Sequence, residues 1–195
     1  MTADPAAAYD VSTRDGFLRR VTDVTDRRIP PRYRHAAPTD PAVMAWCDSF
    51  TEGNARSLLI LGVTGAGKTY QAYGALRELA TRGITAQWAA ITAPDLYATL
   101  RPREGTDSET EFRRYADVPL LLLDDLGAAK GSEWTEEVTY RLIGHRYDAM
   151  TPCLITSNVP TDQLRAVLGD RVASRLAEMC QRVILRGTDR RRTGS

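Results

Sequence analysis

The chain has 195 residues, 43% of them apolar and 26% charged, with a formal net charge of +1. That is enough chain for one core of ordinary size, and so even a charge balance gives no overall field that would select nucleic acid or a membrane surface. Cys47, Cys153 and Cys180 are odd in number and far apart, which excludes a disulfide framework and a zinc site and suits a reducing cytoplasm. No apolar run approaches the roughly 18 residues of a membrane span, and the first residues lack the apolar centre of a signal peptide.

Residues 1–41 are polar and proline-rich, with Pro5, Pro30, Pro31, Pro38 and Pro41. Only Phe17, Leu18 and Val21 hint at a short amphipathic piece, so the stretch reads as a partly flexible arm. A helix is expected from Val43 to near Gly53, then a buried strand at Ser57-Leu58-Leu59-Ile60-Leu61. After a glycine-rich loop, Ala72, Ala75, Leu76 and Leu79 fall at helical spacing and Gly83 is placed to cap the helix. Residues 84–91 read as a strand. Residues 94–100 and 109–115 read as helices flanking a polar stretch. Leu120-Leu121-Leu122-Leu123 is a second continuous apolar run, ending in Asp124-Asp125. A long helix is expected over 133–150, with Glu133, Glu136 and Glu137 near its positive end. A strand at 153–156, helices at 161–168 and 170–180, and a last strand at 183–185 complete the pattern. Strands alternating with helices, some apolar throughout, indicate a three-layer α/β fold with a mostly parallel sheet.

Gly62-Val63-Thr64-Gly65-Ala66-Gly67-Lys68-Thr69 lies between a buried strand and a helix. Glycines there let backbone N–H groups turn inward around a phosphate, and the next helix adds its unpaired amides. Lys68 supplies a cation for the β- and γ-phosphates and Thr69 a hydroxyl for Mg²⁺. The loop and the following Tyr70 are the expected ATP contacts. Asp124, at the end of a buried strand, sits where α/β sheets bind ligands. In a P-loop fold it would hold Mg²⁺ with Thr69, and Asp125 would polarise the attacking water.

The ordered set of segments resembles the AAA+ ATPases of the DnaC-type helicase loaders and the IstB-type transposition ATP-binding proteins. The resemblance covers residues 29–187. It rests on Ile29-Pro30-Pro31-Arg32-Tyr33-Arg34 before the core, the loop Gly62 to Thr69, Leu120 to Gly127, Arg146-Tyr147 followed by Leu154-Ile155-Thr156-Ser157-Asn158, and Gly169-Asp170-Arg171-Val172-Ala173-Ser174-Arg175-Leu176. It implies that Asn158 senses the γ-phosphate or holds the attacking water. It also implies that Arg171 or Arg175 reaches a neighbouring subunit's site as an arginine finger, so the active unit would be an oligomer or filament. The expected organisation is an arm (1–41), an AAA+ ATPase domain (42–187) and an Arg-rich tail (188–195), without the helical lid that other AAA+ proteins carry after the core. Asp125 stands where most AAA+ proteins have glutamate. A carboxylate shorter by one methylene implies slow hydrolysis.

The family also implies single-stranded DNA and a replicative helicase as partners. Residues 92–118 would face the DNA, with Arg101, Arg103, Arg113 and Arg114 for phosphates and Tyr97 and Tyr115 for bases. Glu104, Asp107, Glu109, Glu111 and Asp117 offset that charge, and a solvated surface insertion accounts for the same residues. The tail arginines Arg186, Arg190, Arg191 and Arg192 read as DNA contacts or a disordered end. Three other readings stay open: an IstB-like transposition regulator on duplex DNA, an ATP-dependent binding module with little hydrolysis, and a small-molecule kinase. The last lacks an acceptor motif. No membrane partner is expected.

Overall fold

The structure is a computed structural model that describes residues 12–54, 56–103, 105, 107–128 and 131–186. Glu104 and the tail residues Arg190, Arg191 and Arg192 lie outside them. By its internal contacts the chain forms two units, one of Met1–Ala55 with Tyr70–Ala86 and one of Arg56–Thr69 with Gln87–Ser195.

The first unit is helical: α1 (Arg14–Arg28), α2 (Pro41–Thr51) and α3 (Lys68–Thr81) from Tyr70 onward. The apolar hint at Phe17, Leu18 and Val21 thus lies in the first half of a 15-residue helix. The ends define it better than its apolar face does. The Thr13 side chain accepts from the Gly16 N–H, Asp15 lies in the first turn, and Arg27 and Arg28 lie in the last. Asp26 of α1 accepts a 2.8 Å bond from Arg77 of α3. The segment between α1 and α2 is held along α3. Tyr33 stacks on Tyr73 at 5.1 Å, and the Gln71 amide accepts from the N–H groups of Thr39 and Asp40 while donating to the Thr39 hydroxyl. Gly74 permits this approach, since a Cβ there would lie 2.8 Å from the backbone of Ala37 and Pro38. As the sequence predicts, Gly83 closes α3 in a left-handed conformation (φ +83°), and the Ile84 N–H reaches Leu79 O.

The second unit is a five-stranded sheet: β1 (Ser57–Leu61), β2 (Trp88–Thr92), β3 (Leu120–Asp124), β4 (Cys153–Ser157) and β5 (Cys180–Ile184). The order is β2-β3-β4-β1-β5 and all four pairings are parallel. Every residue of β1, β3 and β4 is buried: the apolar runs 58–61, 120–123 and 153–155 as expected of strands covered on both faces, and with them the polar Ser57, Asp124, Thr156 and Ser157 at the strand ends. Leu59, Leu61, Leu121, Leu123, Cys153 and Ile155 share a core with Leu96 of α4 (Ala93–Leu100), Phe112 of α5 (Ser108–Ala116), Leu142 of α6 (Glu133–Asp148), Leu168 of α7 (Leu164–Leu168) and Leu176 of α8 (Asp170–Met179). The register pairs Leu61 with both Ser157 and Ile184, and Thr92 with Asp124, so the strands end together along one edge.

Strand ends follow their neighbours more than their own composition. The strand expected at 84–91 begins at Trp88, opposite Leu120. The one expected at 183–185 begins at Cys180, because Ser57 at the start of β1 pairs there. The helix expected at 161–168 starts as a 3₁₀ turn (Thr161–Gln163) before α7.

Arg146 of α6 is wholly buried. Its guanidinium donates to the carbonyls of Tyr115, Ala116, Val118 and Pro152 and to the Cys153 sulfur. It therefore satisfies the carbonyl end of α5 and the approach to β4 with one side chain. Arg146→Met keeps the bulk and removes every donor, leaving several buried carbonyls unpaired. We expect a loss of about 3 kcal/mol or more in urea unfolding; a change below ~1 kcal/mol would show that water replaces those bonds.

Candidate nucleotide-binding site

The site is built on the edge where β1, β3 and β4 end. β1 runs into the loop 62–67, and α3 follows at Lys68. Gly65 and Gly67 take positive φ (+81° and +93°), open to glycine with little strain. A Cβ on Gly62 would meet Leu185 O at 2.9 Å. Ala66 is buried, while Val63 is 60% exposed at the rim. Lys68 is buried, and its ammonium donates to the carbonyls of Gly62 (2.9 Å) and Val63 (3.0 Å). The loop thus curls around its own lysine, with the cation where an anion would be received.

Thr69 donates its hydroxyl to both carboxylate oxygens of Asp124 at 3.1 Å. β4 lies between β1 and β3, so its tip also reaches this carboxylate. The Thr156 hydroxyl donates to Asp124 Oδ1 at 2.5 Å and accepts from the Asp125 N–H at 3.0 Å. The Thr156 carbonyl takes the Leu126 N–H at 2.9 Å. Ser157 donates to Leu126 O and accepts from the Val159 N–H. Asp125 is left-handed (φ +57°), as is Gly127 (φ +83°), where a Cβ would collide with Val159 at 2.6 Å. The chain therefore leaves β3 in a tight turn that β4 pins. In the sequence Thr156 and Ser157 stand out only as members of a longer motif. Nothing in their residue type marks them, because threonine and serine are ordinary at the end of a strand.

Burial pushes the Asp124 carboxyl above its ordinary range, the Thr156 hydroxyl lowers it, the Asp125 charge raises it again, and Thr69 and Lys68 lower it. Thr69 and Asp124 offer the hard oxygen ligands that Mg²⁺ takes. Among the described residues no group of three or more His, Cys, Asp or Glu could hold a metal. Two hard oxygen ligands beside a buried ammonium are what Mg²⁺ and the phosphates of ATP require, so the residues present fit that pair.

The remaining predicted residues divide. Asn158 is exposed immediately after β4, on the same edge. Tyr70 follows Thr69 directly, and its phenol donates to His35 O at 3.3 Å. Arg171 and Arg175 lie on α8, packed against α6. Arg171 is exposed. The Arg175 guanidinium sits over the rings of Tyr140 (4.8 Å) and Tyr147 (5.7 Å), against Gly144. Neither arginine shares a hydrogen bond with the Lys68–Asp124 cluster among the described residues.

The segment 92–118 departs from expectation in its aromatics. Tyr97 and Tyr115 are each only 8% exposed and belong to the core. Their rings are taken by packing and are not available for base stacking. Arg113 pairs with Glu109 and Arg114 with Glu111 along α5. Arg101 and Arg103 remain exposed and line a cleft of about 540 Å³ with Pro94, Tyr97, Ser132 and Thr135. Arg186 is exposed beyond β5.

Because the folded protein raises the Asp124 carboxyl above its value in the unfolded chain, the native state binds a proton there more readily. Stability from this group is present below pH about 3.8 and lost as pH rises through the elevated folded value. Asp124→Asn is therefore expected to raise the melting temperature of the nucleotide-free protein at pH 7, with the gain fading in acid. A lower melting temperature at pH 7 would mean that the bonds from Thr69 and Thr156 outweigh burial.

Comparison with known proteins gives the fold and the family. The chain is 25% identical over 128 residues to the replicative helicase loader DnaC of Escherichia coli strain K12, covering 64% of this chain and 51% of that one. It is 23% identical over 177 residues to the replicative helicase loader DnaI of Bacillus subtilis strain 168, covering 87% and 54%. The chain thus spans about half the length of these curated relatives. A crystal structure of the DnaC helicase loader superposes with a TM-score of 0.70 at 23% identity, over 80% of this chain and all of that one. The fold is the α/β fold of the AAA+ P-loop proteins. The family model for IstB-like ATP binding proteins matches residues 34–193, and the chain belongs to that family.

Proposed function

We propose that this protein hydrolyses ATP between copies of itself while engaged on single-stranded DNA, and that the cycle serves to load a replicative helicase. The observation that carries the reading is the cluster of Lys68, Thr69 and Asp124 at the end of the central strands. It sits in a chain of an ATP-binding family whose curated relatives include two replicative helicase loaders.

The division of labour follows from the chemistry of each side chain. Lys68 exchanges the carbonyls of Gly62 and Val63 for the β- and γ-phosphates, while the amides of 62–69 enclose the phosphate chain. Mg²⁺, held by Thr69 and Asp124, would neutralise charge on the phosphate oxygens. Asp125 accepts from the attacking water and Asn158 orients it. Half-burial and a fixed backbone turn hold Asp125 in place. An arginine of α8 is supplied from a neighbouring subunit. Arg171 is already exposed, and Arg175 is available once it leaves Tyr140 and Tyr147. The DNA backbone is taken by Arg101 and Arg103 in the cleft beside α4, by phosphate contact rather than base stacking. Residues 42–187 form the ATPase domain in this reading. A transposition regulator that binds duplex DNA is the second reading, favoured by the family match.

Steady-state hydrolysis at several protein concentrations, with single-stranded or duplex oligonucleotides, separates these readings. We expect the rate per subunit to rise with concentration and with single strands. The better placed of Arg171→Ala and Arg175→Ala should lose on the order of 10³-fold. Mixing that variant with Asp125→Asn should restore part of the rate, because one composite site is then intact. Stimulation by duplex alone would favour the transposition regulator. A rate indifferent to concentration and DNA would leave an ATPase that is not an assembling loader.

A further inference from the structure

We propose that Thr156 is the positioning residue that ties the two adjacent carboxylates, Asp124 and Asp125, into one unit. The inference rests on the reading in which Asp124 holds Mg²⁺ and Asp125 acts on water. Thr156 is wholly buried near the end of β4, opposite Ile60 of β1. Its single hydroxyl is used in both directions. The proton goes to Asp124 Oδ1, an acceptor only, and the lone pair takes the Asp125 N–H, a donor only. The bond directions are therefore fixed by chemistry whenever Asp124 is ionised.

The bond from the Asp125 N–H matters because it restrains an unfavourable backbone conformation. Asp125 has φ +57°, a left-handed conformation that few non-glycine residues adopt and that aspartate takes only as a single residue held by its surroundings. Its N–H is held by the Thr156 side chain, and the next N–H, of Leu126, by the Thr156 carbonyl. One residue thus anchors both sides of the left-handed step that takes Asp125 out of the strand. Valine in place of Thr156 would preserve shape, take the acceptor from the Asp125 N–H, and leave Asp124 Oδ1 with the Thr69 hydroxyl but without its shorter bond. The carboxylates would then lose their common reference, although neither had been changed.

The test compares Thr156→Val with Thr156→Ser by steady-state ATP hydrolysis, with folding checked by circular dichroism and thermal unfolding. The expected result for Thr156→Val is a fall in kcat of about ten- to a hundredfold, the effect of losing charge-assisted and backbone hydrogen bonds. KM for ATP should move less than about threefold, and Thr156→Ser should stay within about threefold of the parent in kcat. If Thr156→Val does not fold, Thr156→Ala against Thr156→Ser isolates the hydroxyl, since both lack the methyl. Equal losses in the hydroxyl-bearing and hydroxyl-free variants, or a loss confined to KM, would overturn the proposal. If the parent protein does not hydrolyse ATP, the functional reading fails, and the gain in fluorescent-ATP affinity on adding Mg²⁺ decides the role of Thr156. Loss of that gain in Thr156→Val with retention in Thr156→Ser supports it, and equal gains overturn it.

Discussion

Asp124 is a buried carboxylate at the end of a strand that is otherwise four leucines, held by the hydroxyls of Thr69 and Thr156. Keeping a charge there is unfavourable unless something satisfies it. The two hydroxyls come from different directions, one from the helix after the glycine loop and one from the strand between β1 and β3. The order β1-β4-β3 is what allows both. Had β1 and β3 been direct neighbours, the loop and the carboxylate would still meet, but no third strand would reach between them. From this constraint follow the turn at Asp125, the left-handed Gly127 packed on Val159, and the exposure of Asn158 on the same edge.

Stability and chemistry pull apart at this edge. A buried acid with a raised proton affinity and a left-handed aspartate both weaken the nucleotide-free fold. The strands beneath compensate with continuous apolar burial, and Arg146 adds a rigid tie below α5 by filling five acceptors at once. The Lys68 ammonium bonded to loop carbonyls is part of the same balance, because those carbonyls hold it where phosphate oxygens would later compete.

Much of this is legible in the sequence because the signals are unbroken. Four leucines ending in aspartate, and a glycine loop between an apolar strand and a helix, have few alternative readings. The boundaries of β2 and β5 are not legible, since a strand begins where its partner does, and the partner is distant in sequence. Helix α1 is longer than its sequence suggests because its apolar residues are few and Phe17 and Val24 among them stay partly in water, so its apolar periodicity is weak and its caps carry the signal. Tyr97 and Tyr115 mislead because an aromatic among arginines has the same sequence signature whether it faces water or the core. Thr156 carries no mark in its residue type. Its importance arises only when β4 brings it against residues more than 30 positions earlier in the chain.

Equilibrium binding of fluorescent ATP to the parent protein and to Lys68→Ala, with Mg²⁺ and with the ion chelated, tests the role of Lys68 most directly. We expect saturable binding that Mg²⁺ strengthens in the parent, and a loss of affinity of at least about a hundredfold in a folded Lys68→Ala, in keeping with removal of a charge-assisted contact. Equal affinity in the two proteins would contradict that role, because the ammonium enclosed by Gly62 and Val63 would then not be the group that receives the phosphates.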